Sequence, residues 1–209
     1  MSRLEFTKLK EQVRKRLEKN DVAHDFEHIM RVLKNATTLA KKEKANVRII
    51  TAAVLLHDII SYPKSDPRSI NSSVESAQEA RRVLKKYNFN QDQIDTISDA
   101  IRDHSFSRGI TPKTLEGKIL QDADRLDALG AIGIARTFSV SGAEKRPFYN
   151  TDDPFCSKHI PDDKRWTLDH FYKKLLLIEK TMNTNTGKIE AKKRIKVMKK
   201  FLDELKEEI

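Results

Sequence analysis

Two histidines and a group of aspartates occupy positions where the surrounding sequence is otherwise apolar. The stretch "AAVLLHDII", residues 52–60, sets His57 and Asp58 side by side in a greasy run. Burying an unpaired ionisable group is costly, so such groups are neutralised, hydrogen-bonded or bound to a metal. Partners are therefore expected elsewhere in the chain. His28 in "HDFEHIMRV" is one candidate, with His24 four residues earlier able to share its helix face. The segment "QDADRLDALG" adds Asp122, Asp124 and Asp127 among leucines and isoleucines. Three acids so close repel one another unless a cation compensates. His104 in "IRDHSF" is a further candidate.

Two imidazoles and two carboxylates from three helices suit a divalent transition-metal cation. Manganese heads the expectation, followed by Fe²⁺, Co²⁺, Ni²⁺ and Zn²⁺. Mg²⁺ ranks last because it favours an all-oxygen shell. Each residue also has a plainer reading. A lone His28 is an ordinary boundary histidine, and Asp122 or Asp127 could pair with Lys118 or Arg125.

The elements that must position these groups read as helices. Residues 2–19 form an amphipathic pattern with Leu4, Leu9, Val13 and Leu17 on one side. Asp21 or Asp25 offers an N-cap to a helix over 26–45. Helical patterns follow over 47–60, 72–87, 91–104, 114–139 (interrupted at Gly130 and Gly133), 165–182 and 185–208. The small residues of "ALGAIGIA" favour a close helix approach. The 140–164 segment holds Pro147, Pro154 and Pro161 and reads as a long loop of the kind that forms lids or binding loops. Its Phe148, Tyr149 and Phe155 could stack on a base or simply anchor the loop. No alternating β pattern is evident. The fold expected is all-α, a single-domain helical bundle over 1–209 with its metal-binding core at about 20–139.

The 209 residues carry 41 Lys and Arg against 31 Asp and Glu, a formal charge of +10. Such a field favours anionic partners. The lysines are spread evenly rather than interleaved with aromatics, which weighs against a nucleic-acid interface. A single cysteine, Cys156, excludes an internal disulfide and fits a reducing compartment. The charged opening "MSRLEFTKLKEQVRKRLEKN" is unlike a signal peptide. The expectation is a cytoplasmic protein outside the membrane, with room for a homodimer.

The order His28, then His57–Asp58, then a distal aspartate resembles the HD-domain superfamily of metal-dependent phosphohydrolases. "HIMRV" looks like its first element, "LLHDI" its doublet and "DADRLDA" its last. The resemblance selects Asp124 as the distal ligand, with Asp122 as fallback. It implies an all-α fold and a metal held by His28, His57, Asp58 and Asp124. "HDFEHIMRV", "LEGKILQDADRLDALGAIGIARTF" and "HFYKKLLLIEKTMNT" are similar to a bacterial subfamily of small, stand-alone members. Some of these are nucleotide pyrophosphohydrolases. Asp127–Ala128 stands where (p)ppGpp hydrolases carry a His-Asn-type pair, which argues against that substrate. The glycine-tyrosine-proline insertion of the cyclic-di-GMP enzymes is also absent.

The implied reaction is metal-assisted hydrolysis of a small nucleotide, (d)NTP to (d)NMP and pyrophosphate. A nucleoside 5'-monophosphate phosphatase is the alternative within the class, and a basic nucleic-acid-binding module with a structural metal the alternative outside it. Asp58 would orient water, while His104 and His24 would assist proton transfer or merely cap their helices. Arg31, Lys118, Arg125 and Arg136 are the candidate phosphate contacts, and Arg125 could equally form a structural ion pair. His170 is a candidate for lining the pocket.

Overall fold

The structure, a computed structural model, describes residues 3–17, 25–62 and 66–209. His24 and Asp21 lie outside the described residues. Among those residues every regular element is helical. Two compact units are distinguished, Met1–Asp124 and Arg125–Ile209.

The first unit is organised around its most apolar helix. α1 spans Arg3–Leu17, α2 Phe26–Glu43 and α3 Val47–Leu56. α4 runs Ser72–Leu84, α5 Gln91–Asp103, and α6 Leu115–Asp127, so that α6 continues past the unit boundary. α3 buries Ile49, Ile50 and every residue from Ala52 to Leu56. A helix apolar on all sides belongs in the interior, and α3 packs against α1, α2, α4 and α5.

α2 shows the one-sided alternative. Ile29, Val32, Ala36, Leu39 and Ala40 are buried along one stripe, and Asp25 caps the start by accepting the His28 amide at 2.8 Å. α5 begins with a reciprocal Asn90–Gln93 capping box, which fixes its first turn. Two polar anchors register α6. Asn35 of α2 donates to the Ala123 carbonyl at 3.3 Å, and Gln121 donates to the carbonyls of Asp103 and Ile110, each at 2.9 Å.

The second unit contains α7 (Gly130–Ala143), α8 (Asp169–Lys173) and α9 (Asn185–Glu208). Its core includes a cluster of Phe138, Phe171 and Phe201. Phe148 packs edge-on against Phe138 at 5.2 Å, so this loop aromatic anchors its own segment. Gly130 has φ +73°, a region that L side chains rarely adopt, and a Cβ there would meet Arg194 of α9 at 3.3 Å. The close approach expected at "ALGAIGIA" is therefore made between α7 and α9.

Several expectations differ from the fold: α7 runs unbroken through Gly133 to Ala143, four residues into the segment expected as a loop, and two expected helices are cut short. The pattern over 47–60 predicts one helix, but α3 ends at Leu56 and the doublet lies in the turn beyond it. The apolar pattern continues there because Ile59 is buried in its own right. The pattern over 165–182 likewise predicts one helix, and the chain breaks at Lys174 into α8 and a 3-10 helix over Leu175–Thr181. No helix among the described residues is long and apolar enough to cross a membrane.

Candidate metal centre

Helix ends build this site. An α-helix leaves its last carbonyls without intrahelical donors. His57 is the residue that closes α3, and its Nδ1–H donates to the Val54 carbonyl at 2.7 Å. His104 closes α5 in the same manner, with Nδ1–H donating to the Ile101 carbonyl at 2.6 Å. The remaining nitrogen, Nε2, is thereby aimed in a fixed direction in both rings: in His57 toward His28 and Asp58, in His104 toward Asp58 Oδ1.

His28 comes from the first turn of α2 and Asp124 from α6, while Asp58 follows His57 directly. His28 Nε2 lies 3.4 Å from His57 Nε2, 3.6 Å from Asp58 Oδ2 and 3.5 Å from Asp124 Oδ1. His57 Nε2 lies 3.4 Å from Asp58 Oδ2 and 4.0 Å from Asp124 Oδ1. A cation about 2.1 Å from each donor separates neighbouring ligands by about 3.0–3.4 Å and opposite ones by about 4.2 Å. The observed spacings fall in or near that range.

The four atoms are electron-rich and face one another, an arrangement that repels unless a cation or proton lies between them. The donor set, two imidazoles and two carboxylates, fits a divalent transition metal. His57, Asp58 and His104 form a second grouping of the same kind around Asp58.

Burial and charge pull on these groups in opposite senses. Burial lowers the His57 imidazole below its usual range, against the raising effect of Asp58 and Asp124, so it is neutral at pH 7. Burial pushes the Asp58 carboxyl up, but His57, His104 and His28 outweigh it and hold the group well below the usual carboxylate range. His104 is lowered by burial, yet its bond to Asp58 raises it overall. The imidazoles of His28 and His57 are sealed in, whereas the Asp58 and Asp124 side chains are 14% and 25% exposed. Solvent reaches the site on its carboxylate side.

The elements hold this geometry by specific contacts. The Ser76 hydroxyl of α4 bonds both the amide and the carbonyl of Ile60, fixing the turn that carries Asp58. Gln121 ties the end of α5, and so His104, to α6. Sequence reasoning missed Gln121. Its only signal was an amide inside the buried run "ILQDA".

A family profile for the HD domain matches residues 25–129. The chain belongs to the HD-domain family. This HD-domain chain is 34% identical to the Bacillus subtilis protein YpgQ over 190 residues, which cover 89% of this chain and 84% of that one. It is similar to the crystal structure of YpgQ in complex with ADP, with a TM-score of 0.76, 31% identity, and coverage of 98% of this chain and 94% of that one. An HD-superfamily hydrolase from Bacillus thuringiensis matches with TM-score 0.76 and 35% identity, covering 98% and 96% of the two chains. A Lactobacillus plantarum protein matches with TM-score 0.77 and 32% identity, covering 100% and 98%.

Asp122 is fully buried on α6. Arg31 is half-buried one turn beyond His28 on α2, and Lys118 is half-buried on α6. In the second unit, the Arg125 guanidinium donates to the Thr181 carbonyl. Arg136 pairs with the buried Asp127 at 2.6 Å. His170 pairs with Asp163 at 2.9 Å, as does Lys173 at 2.7 Å.

Proposed function

We propose that this HD-domain chain is a divalent-metal-dependent phosphohydrolase of nucleotides, releasing pyrophosphate from a nucleoside or deoxynucleoside triphosphate. The observation that carries this reading is the meeting of His28 and His57 with Asp58 and Asp124 inside a helical unit, each imidazole Nε2 within 4.0 Å of both carboxylates. These four would hold the cation, with manganese the first choice. Such an ion supplies Lewis acidity and makes a coordinated water acidic near neutral pH. The ADP complex of the similar YpgQ supports a nucleotide as ligand.

The chain's own residues then have distinct roles. His57, neutral and with its tautomer fixed by Val54, presents a lone pair without having to lose a proton first. Asp58, ionised, orients the attacking water for in-line displacement at phosphorus. His104 Nε2 lies 3.6 Å from Asp58 Oδ1 and holds a proton for the leaving oxygen. Arg31 and Lys118 offset the negative charge that develops on the phosphoryl oxygens. Arg125 and Arg136 serve mainly the bonds described above. The free thiol of Cys156 and the nucleotide substrate both fit a cytoplasmic setting.

The test is a panel of nucleoside mono-, di- and triphosphates with Mn²⁺, Co²⁺, Ni²⁺ and Mg²⁺, assaying phosphate and pyrophosphate separately. Pyrophosphate from triphosphates supports the proposal, and orthophosphate from monophosphates would replace it with a phosphomonoesterase. A metal-loaded protein inert across the panel refutes both.

A further inference from the structure

A second group of donor atoms lies in the second unit, built by the long loop and the first turn of α8. Asp153 begins it. Its carboxylate accepts the backbone amides of Ser157, Lys158 and His159 at 2.9, 2.7 and 3.0 Å, folding residues 153–159 into a tight turn. The turn sets Cys156 and His159 on one side in a Cys-x-x-His spacing, with Cys156 Sγ 3.7 Å from His159 Nε2. The His159 Nδ1–H donates to Asp153 Oδ2 at 2.8 Å, which turns Nε2 toward Cys156 and Asp169. Metal-bound histidines characteristically donate their other ring N–H to a carboxylate in this way.

Asp169 faces that nitrogen, with Oδ2 2.8 Å from His159 Nε2. The same oxygen accepts the Asp162 amide at 2.7 Å. Its other oxygen, Oδ1, is buried without a hydrogen-bond partner, on a residue that is 0% exposed. A buried carboxylate oxygen left bare is costly and calls for an unrecorded partner. One donor atom each from Cys156, His159 and Asp169 lies within 4.8 Å of the others, and the 3.7 Å between Cys156 Sγ and His159 Nε2 matches the roughly 3.3–3.8 Å between two ligands of one tetrahedral zinc ion. Trp166 lies edge-on to the His159 ring at 5.3 Å and shelters it.

We propose that Cys156, His159 and Asp169 form a second metal site, distinct from the histidine–aspartate centre, that takes a zinc-class cation with water completing its shell. Thiolate, imidazole and carboxylate together select Zn²⁺ or Co²⁺ over the harder Mg²⁺ or Mn²⁺. On binding, the thiol proton passes to solvent and sulfur becomes the ligand. Without a cation, burial and the Asp169 carboxylate push the Cys156 thiol up to about 12, so this cysteine is a poor nucleophile despite its histidine neighbour. Bound metal would fasten the 153–159 turn to α8. The inference does not depend on the proposed nucleotide hydrolysis.

The experiment titrates metal-free, full-length protein with Co²⁺ and follows the near-ultraviolet charge-transfer band that only a thiolate ligand gives. The band should appear in the wild type and persist in His28→Ala, which impairs the other centre. It should be absent in Cys156→Ser, which should bind one cation fewer per chain. Protection of the wild-type thiol from a disulfide reagent by Zn²⁺, reversed by chelator, tests the same point without a substitution. A wild-type protein that shows neither a thiolate band nor zinc protection overturns the proposal and leaves a proton shared by His159 and Asp169. Equal cation binding by wild type and a folded Cys156→Ser does the same.

Discussion

The histidine–aspartate centre makes a quantitative prediction about stability. Its donors come from positions 28, 57, 58 and 124, and only folding brings each imidazole within 3.4–4.0 Å of both carboxylates. The unfolded chain therefore binds the cation weakly, and metal should stabilise the fold by mass action. At a free concentration one hundred times the dissociation constant, the gain is about 2.7 kcal/mol. For a chain of this size that corresponds to a rise of about 5–11 °C in the unfolding midpoint. Each further tenfold in metal adds about 1.4 kcal/mol, or about 3–6 °C, while one cation binds. If the grouping of His57, Asp58 and His104 takes a second ion, the slope should double once that site begins to fill. Differential scanning fluorimetry on chelator-stripped protein across a Mn²⁺ series measures this, with His28→Ala as the comparison. An Mn²⁺-independent midpoint, or an identical rise in His28→Ala, would refute the shared-cation geometry.

Other expectations test individual contacts. Asp58→Asn should reduce turnover at least about 10²-fold while circular dichroism stays unchanged, because a ligand and the water-orienting group are lost together. Burial pushes the Asp163 carboxyl up, but Lys173 and His170 draw it down overall to about 2. Its contribution is thus full above pH 4 and fades as pH falls toward 2, so Asp163→Asn should cost about 1 kcal/mol at pH 7, after solvent screening, and almost nothing near pH 2 in urea unfolding. Gly133→Ala would place a Cβ 2.2 Å from the Ala128 carbonyl oxygen, whereas Gly142→Ala meets nothing within 4 Å. Thermal melts should show the first losing about 2 kcal/mol or more and the second nearly neutral or stabilised. Arg136→Met deprives the buried Asp127 carboxylate of its 2.6 Å partner, and chemical denaturation should register a loss of about 2–4 kcal/mol.

Much of the first unit was legible because its helices are striped. The Ile29–Val32–Ala36–Leu39 spacing states a buried face without ambiguity, and the acids and imidazoles were conspicuous against such stripes. Hydropathy could not show where α3 stops. Ile59 is buried for tertiary reasons, so the apolar pattern runs on past the last helical residue. The break at Lys174 was hidden for a related reason, since Leu175 and Ile178 are buried from a 3-10 helix as well as they would be from an α-helix. The Cys156, His159 and Asp169 group was opaque for a different cause. Its members are joined by a turn that Asp153 organises through backbone amides, and residue types do not announce that bonding.

The placement of His57 and His104 one residue past the ends of their helices has a wider consequence. A carbonyl that a helix leaves over is usually satisfied by water; here two of them act as templates that choose which ring nitrogen bears hydrogen. Lengthening either helix by a single turn would enlist that oxygen in the main-chain ladder and set the imidazole loose. Length variation should therefore be tolerated in the connecting loops of this protein and punished at these two termini, even where no substitution touches a donor atom.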